Sequence, residues 1–211
     1  MKRFMISSVV MVVLLAIALP TYATIIPPFT PSPGLAPNQV PGLPPGTVVQ
    51  DTGWMYFHFG TLADPNKNTG YVEEIVYQDI NTNFLSFVFQ IQVLTGDIKT
   101  MSVGDWDNSI QIDAQMTANG GTLMPQGVDR NGFGTMGINF NPLVVSGVTS
   151  YAVTFATNST VLLPGGIGLI DTGSNPTMPG WVAGPVDTPE PATLSLLACG
   201  LLGLGALRKR R

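Results

Sequence analysis

Two short motifs in this chain could bring carboxylates to bear on water. Asp171-Thr172-Gly173-Ser174 follows the apolar Gly168-Leu169-Ile170, and Asp51-Thr52-Gly53 repeats its first three residues. Two such turns, each offering one carboxylate, would share a proton and activate water as an aspartic-protease dyad does. Each carboxylate, however, needs its own lobe with strands after it to build a cleft. Beyond Asp171 only a short Pro/Gly-rich stretch precedes the terminal apolar segment, so the dyad cannot be completed within one chain and both motifs are read as turns. Glu73 and Glu74 form another acid pair, but neighbours on a strand point to opposite faces and cannot serve jointly as glycosidase acid and nucleophile.

Metal and sugar chemistry have their own candidates. Asp64-Pro65-Asn66-Lys67-Asn68-Thr69-Gly70 sets oxygen ligands at alternating positions, as calcium loops do. An EF-hand would want Gly at Thr69 and a bidentate Glu at Ile75; a plain loop is the expectation, and a single-turn calcium variant stays open beside it. Asp105-Trp106-Asp107-Asn108 holds a ring between acids, where it would either anchor a loop to the core or meet a sugar face. The anchor is the expectation; a carbohydrate face would need Trp54, Tyr56 and Trp106 exposed. His58, the only histidine, is expected to face solvent while Met55, Phe57 and Phe59 turn inward. With one His and one Cys, Cys199, a zinc site, a Cys/His pair and a Ser/His/Asp triad are excluded within one chain. No catalytic residue, metal or cofactor is therefore assigned, and the chain is read as a non-enzyme.

The elements that would position these residues are strands. Every odd position of Leu85–Val93 is apolar, as is every even position of 110–117. Residues 55–59, 72–77, 133–140, 148–155 and 160–163 read as further strands. Asp64-Pro65-Asn66, Gly96-Asp97, Asn119-Gly120-Gly121 and Asn131-Gly132 supply turn chemistry between them. No sustained helical period occurs in this region, so residues 47–170 are expected to form an all-β domain, an antiparallel β-sandwich or jelly roll. The apolar, weakly charged 85–93 strand also leaves open polymerisation through an exposed sheet edge. Residues 24–46, rich in Pro and Gly, are read as an extended linker, and 171–188 as a spacer.

Both ends carry addresses. Lys2 and Arg3, the apolar run Phe4–Leu19 and Pro20-Thr21-Tyr22-Ala23 make a signal peptide, with cleavage by signal peptidase expected after Ala23. At the other end stand Pro189-Glu190-Pro191, an uncharged stretch 192–207, and Arg208-Lys209-Arg210-Arg211. The basic cluster should stay cytoplasmic, with 192–207 as a short transmembrane helix and the acidic motif outside. At about 16 residues, near 24 Å as a helix, that stretch is short for permanent residence in a ~30 Å core.

Residues 189–211, in this order, resemble a PEP-CTERM sorting signal. The resemblance implies recognition through Pro189, Glu190 and Pro191 by an exosortase-type membrane protease, and transient membrane insertion of the precursor. It also implies an exported protein of an exopolysaccharide-making Gram-negative cell, at home in the envelope, on the surface or outside.

Charge agrees with that setting. All thirteen acidic residues lie between Asp51 and Glu190, against Lys67, Lys99 and Arg130 alone among the bases, a net of −10 that makes nucleic acid no partner. With Cys199 inside the terminal apolar stretch, no intramolecular disulfide staples the domain. The function expected is structural or adhesive, in exopolysaccharide or biofilm. The alternatives are a secreted carbohydrate-binding module binding extracellular polysaccharide and, further off, a secreted hydrolase.

Overall fold

In the computed structural model, residues 24–28, 30–60, 63–170 and 177–184 are described. The expected signal peptide through Ala23, Asp171-Thr172-Gly173-Ser174 and the tag from Pro189 to Arg211 lie outside them. In chain order the strands are β1 (Thr24–Ile25), β2 (Thr30–Leu35), β3 (Asn38–Gln39), β4 (Thr47–Asp51), β5 (Met55–Phe59), β6 (Asn68–Gln78) and β7 (Leu85–Thr95). They continue with β8 (Asp97–Gly104), β9 (Ile112–Thr117), β10 (Gly127–Arg130), β11 (Met136–Val145), β12 (Ala152–Thr157), β13 (Leu162–Ile170) and β14 (Thr177–Ala183). No helix occurs among the described residues, so none there is long and apolar enough to cross a membrane.

Two sheets face each other. The first runs β1-β9-β12-β7-β6-β4, with β5 also on β6 and β3 on β9; the second runs β14-β13-β8-β11-β10-β2. Pairing is antiparallel except between β3 and β9. Alternation explains which face is buried: Leu85, Phe87, Phe89, Ile91 and Val93 of β7 point inward to join Met101, Val103, Ile138 and Ile167 of the second sheet in one core. Each such side chain contributes roughly 1.5–3 kcal/mol when fully buried. The chain passes from one sheet to the other at Gly96, whose φ of 78° suits a residue without Cβ. A Cβ there would also lie 2.0 Å from Asn68 Oδ1, which accepts the N–H of Asp97 at 2.9 Å.

Two stretches expected outside the domain lie in its sheets. The expected linker, residues 24–46, supplies β1, β2 and β3, and Ile26 is 1% exposed in the core. The expected spacer supplies β14, paired with β13 from Leu162↔Ala183 to Gly168↔Thr177. Two of the Pro-bearing strands, β2 and β14, are edges of the second sheet, where a missing N–H costs no ladder bond. In the interior strands β11 and β13, Pro142 falls where the register with β8 shifts and Pro164 precedes the pairing with β8, which begins at Gly166. Pairing at the two edges comes from a neighbour's backbone, so the side chains need not alternate. The expectation for 85–93 as an exposed edge is also corrected: β7 lies between β12 and β6, because both its faces and both its sides find partners.

Candidate functional site

The expected site residues do not converge. Asp51-Thr52-Gly53 is a turn: Asp51 Oδ1 accepts the Gly53 N–H at 2.7 Å, and the Thr52 hydroxyl accepts the Glu74 N–H at 3.0 Å. In the candidate calcium loop, Asn68 is buried with its side-chain oxygen on Asp97 N–H, and the Thr69 hydroxyl pairs with that of Thr95 at 2.7 Å. Those oxygens serve the fold, and among the described residues no three His, Cys, Asp or Glu side chains gather for a metal. Trp106 is 2% exposed, edge-on to Phe87 at 4.9 Å and to Phe155 at 5.8 Å between centroids. It anchors its loop, as expected. Arg130, fully buried, holds the same loop by donating to the carbonyls of Ile110 (2.8 Å) and Asp107 (2.7 Å). Burial lowers the Arg130 pKa, opposed by the Asp107 charge; the Ser109 hydroxyl and N–H hold the Asp107 carboxyl below its usual range.

Glu73 and Glu74 take opposite faces, as strand geometry requires. Glu74 is fully buried and its Oε2 accepts the Trp181 N–H at 2.8 Å, while Oε1 has no partner. Trp181 belongs to β14, so a carboxyl of the first sheet caps the edge of the second. Gly180 permits the approach, since a Cβ there would stand 2.8 Å from Oε2. Burial pushes the Glu74 carboxyl up to about 8, against the lowering effect of the Trp181 N–H. On the outer face Glu73 is raised too, by burial first and then by the Asp51 charge. Sequence reasoning missed the Glu74 contact because its partner lies 107 residues away.

Outward-facing rings gather on β5 and its surroundings. Trp54 is 43% and Tyr56 53% exposed, and His58 is exposed as expected. Tyr56 stacks on His58 at 6.0 Å and meets Tyr71 edge-on at 5.5 Å. Where β9 begins and β12 ends, a depression of 310 Å³ is lined by Phe84, Gln111, Asp113, Ala156, Thr157 and Asn158. Asn158 Oδ1 accepts the Gln111 N–H at 2.9 Å, and Asp113 Oδ2 accepts from Gln115 Nε2 at 2.8 Å. Ring, carboxylate and amides together suit contact with a polyhydroxylated surface.

The last described residue of the sandwich is tied down. Gly184 N–H donates to the Val161 carbonyl and its own carbonyl accepts from Ser159 Oγ, both at 2.8 Å. Three residues further on, at Asp187, the family model of the PEP-CTERM protein-sorting motif begins to match, and it runs to Arg211. The tag is a PEP-CTERM sorting motif. It supports an exported chain that an exosortase-type membrane protease processes for the cell envelope or surface. The PEP-CTERM match covers the tag and not the sandwich; no curated protein and no solved structure matches the chain.

Proposed function

We propose that this chain is a non-enzymatic β-sandwich that is held at the membrane as a precursor, cut at its PEP-CTERM tag, and then serves as a structural or adhesive component of exopolysaccharide or biofilm. The observation that carries the reading is the order of β14, Gly184 and the tag. Among the described residues every paired strand ends before Asp187, so cleavage within the motif leaves those strands whole. The outward rings of Trp54 and Tyr56 and the depression beside Phe84 support adhesion to hydroxyl-rich polymer. A dedicated carbohydrate-binding module draws on the same rings. Tyr56 stacks on His58 and meets Tyr71 edge-on, so the rings are tilted to one another and do not form a flat platform, which favours the broader adhesive role. Against a hydrolase, Glu74 is sealed in the interior and Glu73 points away from it.

Retention in matrix tests the finer reading. The mature protein should remain with exopolysaccharide washed from a producing cell, and Trp54→Ala/Tyr56→Ala should shift most of it to the wash. Wild type found free in the medium, or a variant retained equally, would contradict adhesion through these rings.

A further inference from the structure

We propose that the loop pole bearing Ile80 and Phe133 rests on the lipid surface while the tag holds the precursor; this depends on the membrane-held precursor read above. Phe133 is 91% exposed and Ile80 75%. Neither is left outside by a loose loop. Asp79 Oδ1 accepts from the N–H groups of Asn81 (2.9 Å) and Thr82 (2.8 Å) and from Thr82 Oγ1 (3.0 Å), fixing the turn that displays Ile80. Asn131 Oδ1 accepts the N–H groups of Phe133 and Thr135, each at 2.9 Å, fixing the turn that displays Phe133. Two preformed turns thus hold large apolar side chains in water, where they add nothing to the core.

Both turns belong to the pole from which the chain leaves. Leu85, just after the Ile80 turn, donates its N–H to Ser159 O, and Ser159 Oγ donates to Gly184 O. Asn108 Nδ2 donates to Gly132 O and Trp106 N–H to Gly134 O, joining the Phe133 turn to the loop that precedes β9 at the same end. From Gly184 only the seven residues 185–191 precede the apolar stretch that starts at Ala192. Fully extended they reach at most about 25 Å, so the tether keeps this pole, and not the opposite end near Gly96, within reach of the bilayer.

The chemistry favours lipid over a protein groove. The apolar tips stand on separate turns, suited to shallow entry among head groups, and the tether supplies a high effective concentration that two side chains alone would not need to match. Asp79, Asp105 and Asp107 lie at this pole with the buried Arg130 against Asp107, while Lys67 and Lys99 lie toward the other. Anionic lipid should therefore weaken the contact, and zwitterionic lipid should suit it.

The experiment uses the tagged precursor from Thr24 to Arg211 with Cys199→Ser, reconstituted in phosphatidylcholine vesicles, with one environment-sensitive dye at Ile80→Cys, Phe133→Cys or Lys99→Cys. Flotation first shows whether the tag is inserted, and matching thermal melts show that each labelled chain is folded. The expected result is blue-shifted emission at positions 80 and 133, with quenching by shallow spin-labelled lipid at least about twofold above that at position 99. Phosphatidylglycerol in the vesicles should reduce the shift. A chain that floats while all three positions report water overturns this inference and leaves the sorting reading intact. A chain that does not float overturns the membrane-held precursor and this inference with it. A shift that needs an added membrane protease assigns the pole to a protein partner and also overturns the lipid contact.

Discussion

At the scale of single residues, Glu74 and Trp106 carry the most consequence. A carboxyl whose folded pKa is raised to about 8 from 4.5 binds its proton more tightly in the folded state. Its contribution is fully present below about pH 4.5 and is lost as pH rises through about 8. Denaturant titrations of wild type between pH 5 and 9 should show stability falling by up to roughly 1 kcal/mol per pH unit relative to Glu74→Gln, with the variant the more stable at pH 8.5. Parallel curves for the two proteins would contradict a protonated Glu74 at the β14 edge. Trp106 fills the space between Phe87 and Phe155, so Trp106→Ala should cost about 3–5 kcal/mol in chemical denaturation. Trp106→Phe keeps most of the packing and removes an indole N–H that has no partner, so it should cost less than about 1.5 kcal/mol. The outward His58 and the split of Glu73 from Glu74 were legible because a strand fixes alternate directions, and the inward Trp106 because a large ring between acids in a loop gains most by docking on the core. The Glu74–Trp181 contact was not, since nothing local marks two residues that meet only when the sheets close.

Among the elements, the strands with period-two patterns were legible and those made by their neighbours were not. Residues 85–93 announce a half-buried strand through side chains alone, and the core side is the one expected. Residues 24–46 and 177–183 carry Pro and Gly with no alternation, and become strands because β9, β10 and β13 offer unpaired backbone. The difference can be measured. A chain of residues 24–184 should melt cooperatively and stay in solution, whereas one of residues 47–170 leaves β13 and β10 each with one side unpaired and uncovers the Glu74 side of the core. The shorter chain should aggregate or give collapsed, poorly dispersed amide spectra; equal stability of the two would contradict the place of β14 and β1–β3 in the sandwich. Position within the sheet also decides what a charge does in β7. Phe89→Asp sets a carboxylate in the centre of the core and should abolish folding, while Val48→Lys on the exposed edge strand β4 should change stability by less than about 0.5 kcal/mol. A folded Phe89→Asp protein, seen by near-UV circular dichroism, would contradict the burial of β7.

At the scale of the whole molecule, a sandwich of described strands is followed by an address that begins at Asp187. Its C-terminal address was the most legible part of the sequence, because a Pro-Glu-Pro tripeptide followed by an uncharged run and a basic stop works as a linear signal and needs no tertiary contact. The sandwich's own role was less legible, since its outward rings and its depression are assembled from strands that the sequence scatters. The most direct measurement of the sorting claim is the intact mass and cell fraction of the native protein, compared with a variant in which Pro189, Glu190 and Pro191 are all replaced by Ala. Wild type should have lost the terminal span and left the membrane while the variant keeps Arg211 and stays there; both proteins retaining Arg211 in the membrane would contradict processing at the PEP-CTERM tag.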